Sequence, residues 1–236
     1  MTIIRFFDQA FGRFIDGSRF SHDQAFRFPS RAVMLRDDYL VSLARGANIL
    51  HIGCVDHLDL IEEKIRDDTY LHKSLCKAAS LCVGVDLNED GIEHMRELGF
   101  DNLHCGDLNG DEIPDALSDI TFDYAIFGEI LEHVDNPTQF LRDFRNKYKN
   151  VRGVIITVPN ALRHTNIVGA LRSIEKINTD HRYWFTPFTI AKVQHRAGLE
   201  LENILMTSFS SNGLFKRILF RLFPLMADSI VCVSKM

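Results

Sequence analysis

The sequence predicts a doubly wound α/β domain on a mostly parallel sheet, preceded by an N-terminal helical extension. Three observations carry this. Short apolar runs recur at 48–52, 81–86, 102–105, 122–127 and 153–159. Helical patterns fill most of the intervals between them. After Gly198 the alternation changes, and two further runs, LELENILMTS and DSIVCVSK, flank an apolar, basic segment. Runs this apolar suit strands covered on both faces, as in a parallel sheet, and strand alternating with helix means βαβ units.

The elements follow in order. Ile3, Ile4, Phe6, Phe7, Ala10, Phe11, Phe14 and Ile15 fall on one broad helical face, which Gly17 and Ser18 end. Residues 18–33 read as a connector rich in Phe, Arg and Ser. A second helix is expected from about Val33 to Arg45, with Gly46 as its stop. Residues 1–45 then form a helical cap on one domain spanning 46–236. Three later helices carry their own boundary signals. EDGIEHMRELGF ends at Gly99, NPTQFLRDFRNKY opens with Asn136 as N-cap and Pro137 in the first turn, and TPFTIAKVQHRAGL uses Thr186, Pro187 and Gly198 in the corresponding roles. A last helix is expected at roughly 212–226.

Bulk composition narrows the function. With 236 residues, 46% hydrophobic and 25% charged, the chain is long enough to bury its own core. A net charge of -5 gives no basic field for nucleic acid. The five cysteines, Cys54, Cys76, Cys82, Cys105 and Cys232, form no CxxC pair. A disulfide framework or zinc site is therefore not expected, and a reducing cytoplasm is. Arg5 and Asp8 interrupt the N-terminal apolar run, so it does not read as a secretory signal, and no stretch reads as a bilayer span.

In an open parallel sheet, ligands bind beyond the carboxyl ends of the strands. The residues found there are Gly53, Cys54 and Asp56 after the first strand, Asp86 and Leu87 after the second, Asp107 and Leu108 after the third, and Gly128 and Glu129 after the fourth. Small and acidic residues dominate, which suits a ligand with hydroxyls, an amino group and a positive centre. Asp86 has the geometry to accept two bonds from vicinal ribose hydroxyls, or to cap the next helix. Asp107 suits an exocyclic amine or a plain turn. Asp56 reads either as a partner for positive charge or as an N-cap.

These motifs resemble the class I S-adenosylmethionine-dependent methyltransferases over about residues 46–207. ILHIGC stands at the glycine-containing first motif, VGVD at the ribose-binding acid, CGDL at the adenine side, FDYAIFGEILEHVDNP at the fourth-strand motif and DHRYWFTPFTIAKVQHRAGL before the sixth strand. HIGCVDH followed by LHKSLCKAA resembles a subgroup associated with bacterial surface-polysaccharide synthesis. The resemblance implies a Rossmann-like seven-stranded sheet with an antiparallel last strand and S-adenosylmethionine as cofactor. Gly53, Gly128 and Glu129 would then hold its methionine part, and Asp86 and Asp107 its adenosine. The chain departs from the family at His51, where an acid is usual, and at Val55 and His57, near which glycines are usual. One glycine suffices where the loop wraps no pyrophosphate.

The implied reaction is methyl transfer, with a sugar or glycan hydroxyl as the expected acceptor. A base near neutrality serves a hydroxyl, and His133 in LEHV and His181 in DHRYWF are the candidates; each also reads as a hydrogen-bonded structural histidine. Asp180 with His181 reads as an oriented pair or a turn, and Trp184 with Phe185 as a sugar wall or a loop anchor. No metal constellation is evident from the spacing. GLFKRILFRLFPLM places Lys216, Arg217 and Arg221 among apolar side chains, so it reads as a membrane-surface helix or as one packed on the sheet or on a second subunit. The expected partners are therefore a small-molecule or glycan acceptor, lipid-linked at the inner membrane face in the extended reading, and a second copy of the chain, with no nucleic acid. Two rivals remain: a catalytically degenerate scaffold, and a nicotinamide-dependent oxidoreductase. The second is disfavoured by one glycine and by Asp86 lying 33 positions after Gly53, against about 20 in dinucleotide sites.

Overall fold

The computed structural model describes residues 3–28, 33–56, 58–107, 110, 115–210 and 213–236. The chain begins with β1 (Ile3–Arg5), α1 (Gln9–Asp16) and β2 (Ala25–Arg27), then β3 (Met34–Leu35) and α2 (Arg36–Ala44). Next come β4 (Asn48–Ile52), α3 (Leu58–Arg66), α4 (Leu71–Ala78), β5 (Leu81–Asp86), α5 (Glu89–Glu97), β6 (Leu103–Cys105) and α6 (Asp115–Ser118). The remainder is β7 (Phe122–Gly128), α7 (Pro137–Lys147), β8 (Val151–Pro159), α8 (His164–Ala170), α9 (Pro187–Arg196), β9 (Glu200–Ser208), α10 (Leu214–Leu222) and β10 (Ser229–Lys235).

The main sheet has the order β3-β9-β10-β8-β7-β4-β5-β6. β4 pairs in parallel with both β5 and β7, so strand order reverses at β4. β10 runs antiparallel to β8 and to β9. The seven expected strands and the antiparallel last strand are present, with the two-residue β3 added along the edge of β9.

Neighbouring residues of one strand serve opposite layers, the period-two rule of a sheet. Leu50, Ile52, Ala125 and Phe127 face Leu141, Phe144 and Ile190 of α7 and α9. Ile49 and Ile126 face Leu40 and Ala44 of α2 and Leu75 of α4. Both layers bury most residues of the central strands, so β4, β7 and β8 read as mainly apolar runs, with His51 a buried polar exception in β4. The helix signals act as expected. Asn136 Oδ1 accepts from Gln139 N, and Thr186 forms a capping box with Thr189. The helix ahead of β6 is capped by Asn88, whose Oδ1 accepts from Gly91 N at 3.0 Å.

The N-terminus departs from the expected helix over 3–15. Ile3–Arg5 pairs in parallel with Ala25–Arg27, and Phe7 at φ 66 separates that strand from α1. β-branched Ile3 and Ile4 satisfy a strand as well as a helical face, and pairing with β2 decides between them. The second helix starts at Arg36 rather than Val33 because Met34 and Leu35 join β9. Phe26 stacks on Phe188 of α9 at 4.8 Å, which ties the N-terminal segment to the sheet layer. On α10 only Phe220 is buried; Leu214, Phe215, Ile218 and Leu222 are exposed. Among the described residues, no helix is long and apolar enough to cross a membrane.

Candidate functional site

Parallel register brings the ends of β4, β5 and β7 to one edge, with Ile52 beside both Val85 and Phe127. A cleft of about 900 Å³ opens there. Of the expected residues, Gly53, Cys54, Asp56, Asp86, Gly128, Glu129, His133 and His181 line it. Leu87 and Asp107 do not line it; Leu87 is largely exposed at the end of β5. Leu108 lies outside the described residues, as does His57.

The single-glycine loop is held by side chains. Gly53 adopts φ +67, and a Cβ there would lie 2.8 Å from Ile130 Cδ1. Val55 N donates to Asp86 Oδ2 at 2.9 Å, and Asn88 N donates to Asp86 Oδ1 at 3.0 Å. Tyr70 Oη donates to Cys54 O at 2.7 Å, and Asp56 pairs with Lys64 of α3. Val55 itself fits because α5 presents Gly91 to it: a Cβ on Gly91 would lie 2.4 Å from Val55 Cγ1. Asp86 therefore fastens the loop and does not cap α5, a role Asn88 fills. Each of its oxygens takes one backbone donor and keeps a second lone pair.

His51 is buried in the strand leading to this loop. Its Nδ1 lies 3.0 Å from His72 Nδ1, with the rings stacked at 5.2 Å. Burial, then the neighbouring His72 and Arg36, hold the His51 imidazole well below its usual pKa, so it is neutral. Cys76 Sγ lies 3.5 Å from His72 Nε2. Cys82, followed by His72, pulls the Cys76 thiol down to about 5, while Cys82 is pushed up by Cys76 and by burial.

At the far end of the cleft, Glu129 follows β7 with φ 57. Its N–H donates to Thr157 O and Thr157 Oγ1, both at 3.1 Å. Ser229 Oγ donates to its Oε1 at 3.0 Å, and Arg36 Nη1 lies 3.6 Å from the same oxygen. Beside it Glu132 is buried, and burial followed by the charge of Glu129 raises its carboxyl to about 9. His133 Nδ1 lies 2.7 Å from Asp180 Oδ2. The oriented pair is thus Asp180–His133, not Asp180–His181. His181 packs edge-on against His133 at 4.6 Å, and burial, then His133, lowers its pKa.

The loop bearing His181 is fastened to the turn bearing His133. Arg182 N donates to Glu132 O at 2.7 Å, and Tyr183 Oη donates to Asp135 O at 2.6 Å. Arg182 also bonds His133 O and, through Nε, Asp135 Oδ1 at 2.6 Å. Phe185 is a buried anchor, and Trp184 lies under Arg163 at 4.8 Å, outside the cleft lining. Sequence reasoning missed Arg36, Tyr70 and Glu132 as cleft residues. Only Glu132 carried a signal, since it adjoins His133 in LEHV.

The structure also assembles two groups that linear spacing does not reveal. Ligand atoms of Glu132, His133 and His181 lie within 4.8 Å of one another, as do those of His72, Cys76 and Cys82.

A family model described as a methyltransferase domain matches residues 22–204. Among solved structures, the chain is similar to the magnesium protoporphyrin IX methyltransferase of Synechocystis PCC 6803 with bound SAH. The identity is 14%, the TM-score 0.55, and 84% of this chain and 81% of that one are covered. An S-adenosylmethionine-dependent methyltransferase from Mesorhizobium loti gives 15% identity and a TM-score of 0.51, covering 84% and 96%. Another, from Clostridium acetobutylicum ATCC 824, gives 11% and 0.53, covering 85% and 90%. At such identities the likeness is one of fold. No curated protein matches the chain.

Proposed function

We propose that this chain, which belongs to the methyltransferase-domain family and takes S-adenosylmethionine as its cofactor, delivers the methyl group to a hydroxyl of a sugar or glycan intermediate. The observation that carries this is one continuous cleft. Gly53 and Asp86 form one end, and the Glu132–His133–His181 wall forms the other.

The donor set fits the cofactor. The spare lone pairs of Asp86 take the ribose diol. An adenine reaching past the edge of the cleft would meet Leu87 and Asp107, which follow β5 and β6 outside the lining. The loop Gly53–Cys54–Val55–Asp56 and the backbone at Gly128 flank the methionine part. There Arg36 and Glu129 offer one positive and one negative partner for its carboxylate and ammonium groups. When bound, S-adenosylmethionine supplies a methyl group activated by a positively charged sulfur.

The protein then has to position the acceptor and draw off its proton. His133 and His181 do this. Asp180 fixes the ring of His133 through Nδ1 and leaves Nε2 for the acceptor side. A sugar acceptor is supported by the polar wall and by the likeness of HIGCVDH and LHKSLCKAA to the polysaccharide-associated subgroup. The exposed apolar face of α10, bordered by Lys216, Arg217 and Arg221, supports an acceptor carried on a lipid at an anionic surface; a second copy of the chain is the other occupant that face would suit. The scaffold rival draws support from one observation, that both oxygens of Asp86 already hold backbone donors.

The test is turnover with a panel of nucleotide sugars and lipid-linked oligosaccharides, followed by mass spectrometry for a gain of one methyl. Methylation of a sugar oxygen is expected. S-adenosylhomocysteine that raises the melting temperature without turnover on any glycan would remove the acceptor reading. No rise at all would favour the scaffold.

A further inference from the structure

Glu132 poses a problem of partners. It is 0% exposed, and neither carboxylate oxygen has a hydrogen-bond partner among the described residues. His181 Nδ1 is likewise buried without a partner. A carboxylate in such a place is unfavourable unless positive charge and donors reach it. Neither Arg36, whose charge reaches Glu132 through space, nor Arg182, whose N–H bonds the Glu132 carbonyl, makes a bond to its carboxyl. Arg36 bonds Asp37 at 2.8 Å and faces Glu129, and Arg182 bonds Asp135 and His133 O.

The surrounding geometry is that of an ion site. One ligand atom each from Glu132, His133 and His181 lie within 4.8 Å of one another, at the wall of the cleft. His133 Nδ1 lies 2.7 Å from Asp180 Oδ2, which leaves Nε2 for an ion, the arrangement that fixes a metal-binding imidazole. The hydrogen bonds of Arg182 and Tyr183 hold the loop of His181 against the turn of Glu132, so the three groups come from a fastened frame.

We propose that Glu132, His133 and His181 bind a divalent cation whose open positions take the oxygens of the acceptor. One carboxylate and two imidazoles suit a first-row ion such as Mn²⁺ or Fe²⁺ better than Ca²⁺, which takes oxygen ligands. The inference rests on the hydroxyl-acceptor reading above and narrows it. Three protein ligands leave adjacent positions free, and two neighbouring hydroxyls of one sugar fill them as a chelate. Coordination also makes a hydroxyl easier to deprotonate, with the proton passing to water. His133 and His181 then hold the ion in place of taking the proton themselves.

The test uses the full chain, stripped with EDTA and titrated with Mn²⁺ by calorimetry and by electron paramagnetic resonance. One Mn²⁺ per chain is expected. Glu132→Gln and His181→Ala, each checked for folding by circular dichroism, are expected to weaken binding at least tenfold. Cys76→Ser, in the separate His72–Cys76–Cys82 group, is expected to bind as the unaltered chain does. No ion bound by the unaltered chain, or binding undiminished in both Glu132→Gln and His181→Ala, overturns the site. The two readings fail separately. Glycan methylation that continues unchanged in EDTA removes the ion and keeps the sugar. Mn²⁺ binding lost in both variants, with no glycan methylated, keeps the ion and removes the sugar.

Discussion

Replacing Gly53 by alanine tests whether one glycine can carry the cofactor loop. Two separable costs arise at that position. The backbone sits at φ +67, where a side chain costs about 1–2 kcal/mol. The new Cβ would also lie 2.8 Å from Ile130 Cδ1 and 3.2 Å from Cγ1. Both atoms belong to a flexible side chain, so the contact is relieved by moving Ile130 off its rotamer, at about 0.5–1.5 kcal/mol. The sum is about 1.5–3.5 kcal/mol, which lowers the melting temperature by roughly 3–14 °C for a chain of this length. Thermal unfolding of Gly53→Ala, Ile130→Ala and the double variant forms a cycle that separates the two costs. In the Ile130→Ala background the penalty should shrink to its backbone part without vanishing. A penalty that disappears there would refute the conformational argument, and one that is unchanged would refute the contact.

Two further outcomes belong to the cleft and a third to the neighbouring His72–Cys76–Cys82 group. Asp86→Ala should abolish the rise in melting temperature given by S-adenosylhomocysteine, because the ribose partner and the anchor of Val55 N go together; NAD should give no rise in either protein, and an undiminished rise in the variant would misplace the site. Asp180→Asn should lower turnover by about 10–100-fold while the cofactor still binds, since it frees His133 rather than emptying the cleft; equal loss in binding and turnover would contradict the positioning role. Cys76 should react with iodoacetamide at pH 6.5 well ahead of Cys105, the other exposed cysteine. Its lowered pKa means that thiolate is present above about pH 5 and is lost as pH falls through that value. Equal labelling at peptide level would show that His72 and Cys82 do not act on it.

The core strands were legible because both faces of the sheet are covered, so Ile49 with Leu50 and Ile126 with Phe127 stand in mainly apolar runs. Helix boundaries were legible where one residue type does the work, as at Asn136 and Thr186. β1 was hidden because Ile3, Ile4, Phe6 and Phe7 satisfy two periods at once. β3 was hidden because two residues carry no period. The strand-end carboxylates could be named from sequence alone, since parallel register sends every βα turn to one edge. Side-chain partners could not. Asp180 finds His133 across 47 positions, and His51 finds His72 across 21. Glu132 stood beside a residue already chosen for its imidazole, and only three-dimensional burial gives its carboxylate meaning.

The placement of β10 bears on how the protein is made. Residues 229–235 insert between β8 and β9 and bond to both, and Ser229 reaches back to Glu129. A ribosome that has released everything through β9 has therefore delivered two sheet edges that cannot yet join. A translation product ending before Ser229 would leave β8 and β9 unjoined and Glu129 without its bond from Ser229.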